Sequence, residues 1–401
     1  MNDLSTSIVL ISLIAGAAPL LASLTGRVAK VPLVVFEIVL GIVIGPSVLG
    51  WVQPTAFVKT LSELGLAMLF FMAGNEIDFA AIKGRPVNRA ALAWLISLGA
   101  GVAAGVLLTP TPEAGVLVGI ALSSTALGTL LPILRDAGET KSPFGRAITA
   151  IGTVGEFGPL LAISLFLSGR NLGPSAILLV VFVLIVGLSI WLTGRGKHQS
   201  VHRLMTATLH TSGQFAVRLV LLIIAILVAL SLIFGLDMLL GAFAAGILWR
   251  VLMAGASRND AEVVEIKLAA VAFGFLVPVF FINTGISFNL VALLADPFIL
   301  ALVPIFLILF LLVRGLPNLL AASVGATWSD RRATVLFSST GLPIIVAVTA
   351  IGRSSGLLPS GIATALIGAG MLSVLLFPFL ALDQRRRRPS AVPPDSSRTT
   401  A

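Results

Sequence analysis

Ala150-Ile151-Gly152-Thr153-Val154-Gly155-Glu156-Phe157-Gly158-Pro159-Leu160-Leu161 is the stretch from which the rest of the chain is read. It lies in an apolar run from about Phe144 to Ser168, long enough to cross a bilayer, which takes about 20 residues. Glu156 falls near the middle of that run. A carboxylate at such depth costs about 3 kcal/mol even on the mildest scales, so it persists where water, a partner charge or a cation compensates it. Gly152, Gly155 and Gly158 surround it and let another backbone approach closely. Pro159 removes a backbone donor one turn on. An ion or proton site at Glu156 is the expectation.

The surrounding composition sets the class. Of 401 residues, 57% are hydrophobic and 11% charged, where a soluble domain carries about 25% charged. The chain is read as an all-α polytopic membrane protein. Its formal charge of +9 is assigned to cytoplasmic loops, with no nucleic-acid partner. There is no cysteine to report a redox compartment. The first residues carry no Lys or Arg, so residues 8–24 are read as a retained span and not a secretory signal.

Hydropathy gives about thirteen spans: 7–25, 31–51, 58–75, 88–108, 114–134, 144–168, 174–193, 214–233, 236–253, 266–288, 297–323, 333–351 and 359–382. Positive charge alternates between the loops. One side carries Arg27 and Lys30; Lys83, Arg85 and Arg89; Arg135, Lys141 and Arg146; Arg195, Lys197 and Arg203; Arg250, Arg258 and Lys267; and Arg331 and Arg332. The arginine run 385–388 ends that series. The other side has only Lys59, Arg170 and Arg353. The N-terminus is therefore expected outside and the C-terminus in the cytoplasm. Residues 383–401 are read as a disordered basic cytoplasmic tail.

Three internal echoes follow. Ser123-Ser124-Thr125-Ala126-Leu127 resembles Ser338-Ser339-Thr340-Gly341-Leu342. Phe70-Phe71-Met72-Ala73-Gly74 resembles Phe280-Phe281-Ile282-Asn283-Thr284-Gly285. Gly41 and Gly45 after Glu37 match Gly241 and Gly246. Each pair lies an odd number of spans apart, so the copies run in opposite directions. Repeat one would cover about 7–168, a linker helix about 174–193 and repeat two about 214–382, an inverted organisation found in secondary transporters.

Spans 5 and 12 are expected to break near mid-depth. Hydroxyls cluster there with glycine and proline: Ser123, Ser124, Thr125, Gly128, Thr129 and Pro132 in one, Ser338, Ser339, Thr340, Gly341 and Pro343 in the other. Broken helices offer termini and free carbonyls to an ion. The other deep charge is Arg314, within Phe310-Leu311-Leu312-Val313-Arg314-Gly315-Leu316-Pro317. It needs a counter-charge, a helix C-terminus or broken-helix carbonyls. Glu37 is read as a scaffold acid. Glu76, Asp78 and Asp237 are read as surface placements, and His198, His202 and His210 as polar loop residues. No nucleotide loop, metalloprotease motif or second catalytic group accompanies Glu156, so neither an enzyme nor a cofactor is expected.

With these motifs in hand, the chain resembles the bacterial monovalent cation:proton antiporters of the Kef and NapA type. Val31 to Gly50 is similar to their second span, and Leu64-Gly65 through Asn75-Glu76-Ile77-Asp78 to their third. Gly235-Leu236 through Gly246 and Pro278-Val279-Phe280-Phe281 are similar to the second half. The resemblance covers nearly all of residues 1–382. It implies the NhaA-type fold: two inverted six-helix repeats with crossed broken helices, scaffold spans 1–3 and 8–10, core spans 4–6 and 11–13, and a homodimer in the plasma (inner) membrane. It also implies that Glu156 binds cation and proton in competition, with Ser124, Thr125, Ser339 and Thr340 around it and Arg314 beside it as charge compensation. The chain departs from the family at Gly155-Glu156, where many members carry two polar residues, and at Arg314, where many carry lysine. One carboxylate carries one charge, so electroneutral exchange of Na⁺ or K⁺ for H⁺ is expected. A proton- or sodium-coupled transporter of an organic anion on the same fold is the alternative.

Overall fold

The computed structural model describes residues 4–25, 32–77, 85–166, 172–195 and 214–386. Among them the regular structure is entirely helical: α1 Leu4–Thr25, α2 Leu33–Ile44, α3 Ala56–Glu76, α4 Arg85–Leu108, α5 Pro112–Leu122, α6 Leu127–Asp136, α7 Pro143–Phe166 and α8 Leu172–Arg195. The second half has α9 Phe215–Ile233, α10 Met238–Met253, α11 Arg258–Val271, α12 Val277–Ile286, α13 Leu290–Ala295, α14 Pro297–Leu309, α15 Trp328–Ser338, α16 Pro343–Ser354 and α17 Ser360–Arg386. Among the described residues, eleven helical stretches are long and apolar enough to cross a membrane, and two further apolar helices, α2 and α10, are shorter. Every window expected from hydropathy contains a helix.

Several boundaries differ, each for a physical reason. The second window, expected over 31–51, is helical only to Ile44. Gly45 and Pro46 end it, and the chain turns back with Val52 N–H donating to the Ile44 carbonyl. Between α11 and α12 the ladder slips into a π turn, Ala272–Leu276, where Val277 N–H reaches the Ala272 carbonyl. Pro278 follows and has no N–H to give. The same happens after α14: a π turn at Phe310–Gly315 and a 3₁₀ turn at Pro317–Ala321 flank the missing donor of Pro317. In the fifth window the helix breaks at residues 123–126, and Gly128, Thr129 and Pro132 lie inside α6. Residues 383–386, expected in a disordered tail, are the last turn of α17. Arg27, Lys30, Asp78, Lys83, Arg170, Lys197, Arg203, the three histidines and residues 387–401 lie outside the described residues.

The helices pack in two groups. In one, α3 lies on α10, α2 on α12, α1 on α2 and α9 on α10. In the other, α4 packs on α5 and α7, and α17 on α14 and α15. Backbones touch within the first group. A Cβ at Gly246 would stand 2.0 Å from the Phe71 carbonyl oxygen, and one at Gly74 would stand 2.2 Å from that of Phe243. Gly41 and Gly285 close α2 on α12 in the same way. These are the glycines that carried the sequence echoes. α7 joins the groups, with Phe157 stacked on Phe243 of α10 at a centroid distance of 5.5 Å.

Candidate functional site

The two breaks cross. α5 ends at Leu122 because Ser123 and Ser124 turn their hydroxyls onto the Ile120 and Ala121 carbonyls, at 2.9 and 2.8 Å. These bonds take up carbonyls that a helix end leaves bare. α15 ends at Ser338, and Pro343 starts α16 at a position where its missing N–H costs nothing. Between the ends, Ala126 N–H donates to the Thr340 carbonyl at 2.8 Å, and Thr125 Oγ1 donates to the Ser338 carbonyl at 2.6 Å. Thr125 N–H reaches the Gly155 carbonyl at 3.0 Å, which fastens the crossing to α7.

Glu156 is 5% exposed. Its Oε1 accepts from Gly128 N–H at 3.4 Å, in the first turn of α6. The carboxylate therefore faces a helix N-terminus, where free amides and the helix dipole favour negative charge. Arg314 is fully buried, at 0% exposure. Its Nε donates to Thr125 Oγ1 at 2.8 Å and its Nη2 to the Ile151 carbonyl at 3.0 Å. Asn318 Nδ2 holds the Arg314 carbonyl at 2.7 Å, on the turn that Pro317 loosens. Arg314 Nη1 has no hydrogen-bond partner among the described residues. No ion pair joins Arg314 to Glu156 among them. Arg314 meets the Thr125 hydroxyl in the break and the Ile151 carbonyl of α7, and Glu156 meets a first-turn amide of α6.

The hydroxyls expected around the acid all give their protons to carbonyls: Ser124 to Ala121, Ser339 to Phe310 and Thr340 to Leu336. Their oxygens keep lone pairs for a cation. Ser339 is pinned to the π turn that carries Arg314, not to Glu156. Among the described residues no cluster of three or more His, Cys, Asp or Glu side chains gathers here.

Glu76 is the residue that the sequence undervalued. It ends α3 half-buried, and its carboxylate is near enough to that of Glu156 for the two charges to repel. Arg135, Arg250 and Glu265 share its surroundings, and Arg250 Nη1 donates to the Asn75 carbonyl at 2.8 Å. The one available signal was its place in Asn75-Glu76, directly after an apolar helix. Glu37 is buried in α2, within the other helix group. Asp237 caps α10, accepting from Leu239 N–H at 2.9 Å. Burial pushes its carboxyl above the usual range, and that amide bond opposes the shift. It lines a cavity of about 550 Å³ between the two groups, with Ser62, Glu63, Asn283, Thr349 and Arg353.

Two broken helices thus cross beside a buried acid and a buried arginine in a multi-pass helical chain. The family model described as sodium/hydrogen exchanger, transmembrane, matches residues 9–382, and the chain belongs to that family. It is 28% identical over 410 residues to the putative Na⁺/H⁺ antiporter YjbQ of Bacillus subtilis, covering 96% of this chain and 64% of that relative's length. It is 28% identical over 382 residues to the Na⁺/H⁺-K⁺ antiporter GerN of Bacillus cereus, covering 92% of this chain and 93% of the relative. Among solved structures it matches the sodium proton antiporter MjNhaP1 of Methanocaldococcus jannaschii with a TM-score of 0.70 at 18% identity, over 96% of this chain and 99% of that one. The last likeness establishes the fold.

Proposed function

We propose that this protein exchanges a monovalent cation, Na⁺ or K⁺, for H⁺ by alternating access around Glu156, with no net charge moved. The observation that carries the reading is the pairing of Glu156: its carboxylate faces the Gly128 amide, and among the described residues it forms no ion pair with an arginine. It stays free to take either a proton or a cation, and competition for one carboxylate couples the two fluxes. Ser124, Thr125, Ser339 and Thr340 supply oxygens around the crossing, and Arg314 balances the carbonyl ends there. Helices α4–α7 and α14–α17 would move as the core against a scaffold of α1–α3 and α9–α12, in a homodimer with its N-terminus outside and C-terminus in the cytoplasm. Support comes from the division of helix packing into those two groups and from relatives named as Na⁺/H⁺ and Na⁺/H⁺-K⁺ antiporters. The organic-anion alternative draws less support, because Arg314 is sealed from solvent and already bound to Thr125 and Ile151.

The test is proton flux in proteoliposomes under Na⁺, K⁺ and Li⁺ pulses, with and without a clamped membrane potential. Flux that follows the cation and ignores the potential is the expected result. Flux that depends on the potential would remove the electroneutral stoichiometry, and no cation-driven flux would remove the exchange reading.

A further inference from the structure

At the arginine-rich rim, α17 carries Arg385 into the protein instead of out of it. Arg385 is 8% exposed. Its Nη1 donates to Asp330 Oδ1 at 2.5 Å, and its Nη2 to Glu139 Oε1. Its guanidinium carbon lies 3.8 Å from the centroid of the Phe144 ring. One residue earlier, the Gln384 carbonyl accepts from the Ser329 hydroxyl. A planar fork reaching two carboxylates on two elements while stacked on a ring is a geometry that arginine makes and lysine does not.

The partners of Arg385 mark the far ends of the two half-helices that cross at the site. Glu139 sits in the turn after α6, where its N–H donates to the Leu134 carbonyl at 2.9 Å. Gly145 lets that turn lie on α7, since a Cβ there would stand 1.9 Å from the Glu139 carbonyl oxygen. Asp330 lies in the first turn of α15, and its other oxygen takes Thr327 N–H and Oγ1 at 3.1 and 3.0 Å. Between rim and crossing, Leu130 and Leu134 of α6, Phe144 of α7, Phe337 of α15 and Ala381 of α17 form one buried apolar cluster. α6 and α15 are thus joined at one end by the bonds of Thr125 and Ala126, and at the other by Arg385.

We propose that Arg385 is a positioning residue for transport: it clamps the outer ends of α6 and α15 so that the two half-helices move as one block and hold the Gly128 amide on Glu156. This rests on exchange at Glu156 as proposed above. A staple that served stability alone would change how much folded protein survives. A clamp that positions α6 changes how tightly the site takes its cation.

Two measurements separate these roles. The first is the half-saturating cation concentration for proton flux in proteoliposomes, comparing wild type with Arg385→Met and Arg385→Lys. Arg385→Met is expected to raise it about tenfold, and Arg385→Lys, which keeps the charge but does not bridge both carboxylates, is expected to raise it as well. An unchanged half-saturation in Arg385→Met, with only a lower maximal rate or melting temperature, overturns the proposal. The second does not depend on transport. The chain has no native cysteine, so spin labels can be placed at the exposed positions of Ala137→Cys and Arg332→Cys. A single narrow distance in wild type that broadens in Arg385→Met supports the clamp, and the same distribution in both overturns it. If wild type carries no cation-driven flux, the exchange reading fails and the label distances alone decide the clamp.

Discussion

Gly155 and Arg314 compete for one place: a Cβ on residue 155 would stand 2.3 Å from Nη2 of Arg314 and 2.7 Å from Cβ of Thr125. Glycine next to Glu156 is therefore the room that the guanidinium needs to reach the Ile151 carbonyl. The space beside Glu156 is filled by Arg314 from across the bundle. Gly155→Ala should push the guanidinium off Ile151 and destabilise the fold by about 1–3 kcal/mol, the range for overpacking. Adding Arg314→Lys shortens the intruding head, so the double variant should recover part of the loss. Melting temperatures of the purified single and double variants measure this.

The Thr125 hydroxyl makes two bonds, donating to the Ser338 carbonyl and accepting from Arg314. Thr125→Val keeps the shape and removes both bonds. Leaving a buried guanidinium nitrogen and a carbonyl unpaired should cost about 3 kcal/mol, while Thr125→Ser should cost about 1 kcal/mol or less. Thermal unfolding of both variants checks the difference.

Glu76 shares its electrostatic surroundings with Glu156. Glu76→Gln removes a negative charge that draws cations toward the site, so the half-saturating cation concentration should rise severalfold with little change in maximal rate. Glu76→Asp should stay close to wild type. Equal kinetics in all three proteins would return Glu76 to the role of a surface charge.

The contact of α3 with α10 leaves no slack at Gly246, where backbone and not a flexible side chain blocks a Cβ. Gly246→Ala should destabilise the protein by more than the about 1–3 kcal/mol of ordinary overpacking. Gly16, which has nothing within 4 Å of its would-be Cβ, is the control: Gly16→Ala should be neutral or slightly stabilising by helix propensity.

Much of this was legible in the order of residues. Apolar runs marked the helices, and serine, threonine, glycine and proline marked both breaks. Glu156 and Arg314 stood out because charge at such depth is expensive. Their partners were not legible. Spacing along the chain does not reveal that Arg314 meets Thr125 and Ile151 while Glu156 meets Gly128, since four separate helical segments must cross first. Arg385 was hidden for the same reason. A run of arginines reads as a solvated tail by composition, and nothing local points to carboxylates at residues 139 and 330. The π turns had a local signal in Pro278 and Pro317, but a proline alone does not say whether a helix kinks, stops or slips.

The most direct test of exchange at one carboxylate is cation-driven proton flux in proteoliposomes carrying wild type, Glu156→Gln or Glu156→Asp. The account expects flux in wild type, reduced flux in Glu156→Asp, and none in Glu156→Gln with the protein still folded and monodisperse. Cation-coupled proton flux that survives in Glu156→Gln would contradict it, because the proton and the cation would then have to meet at another group.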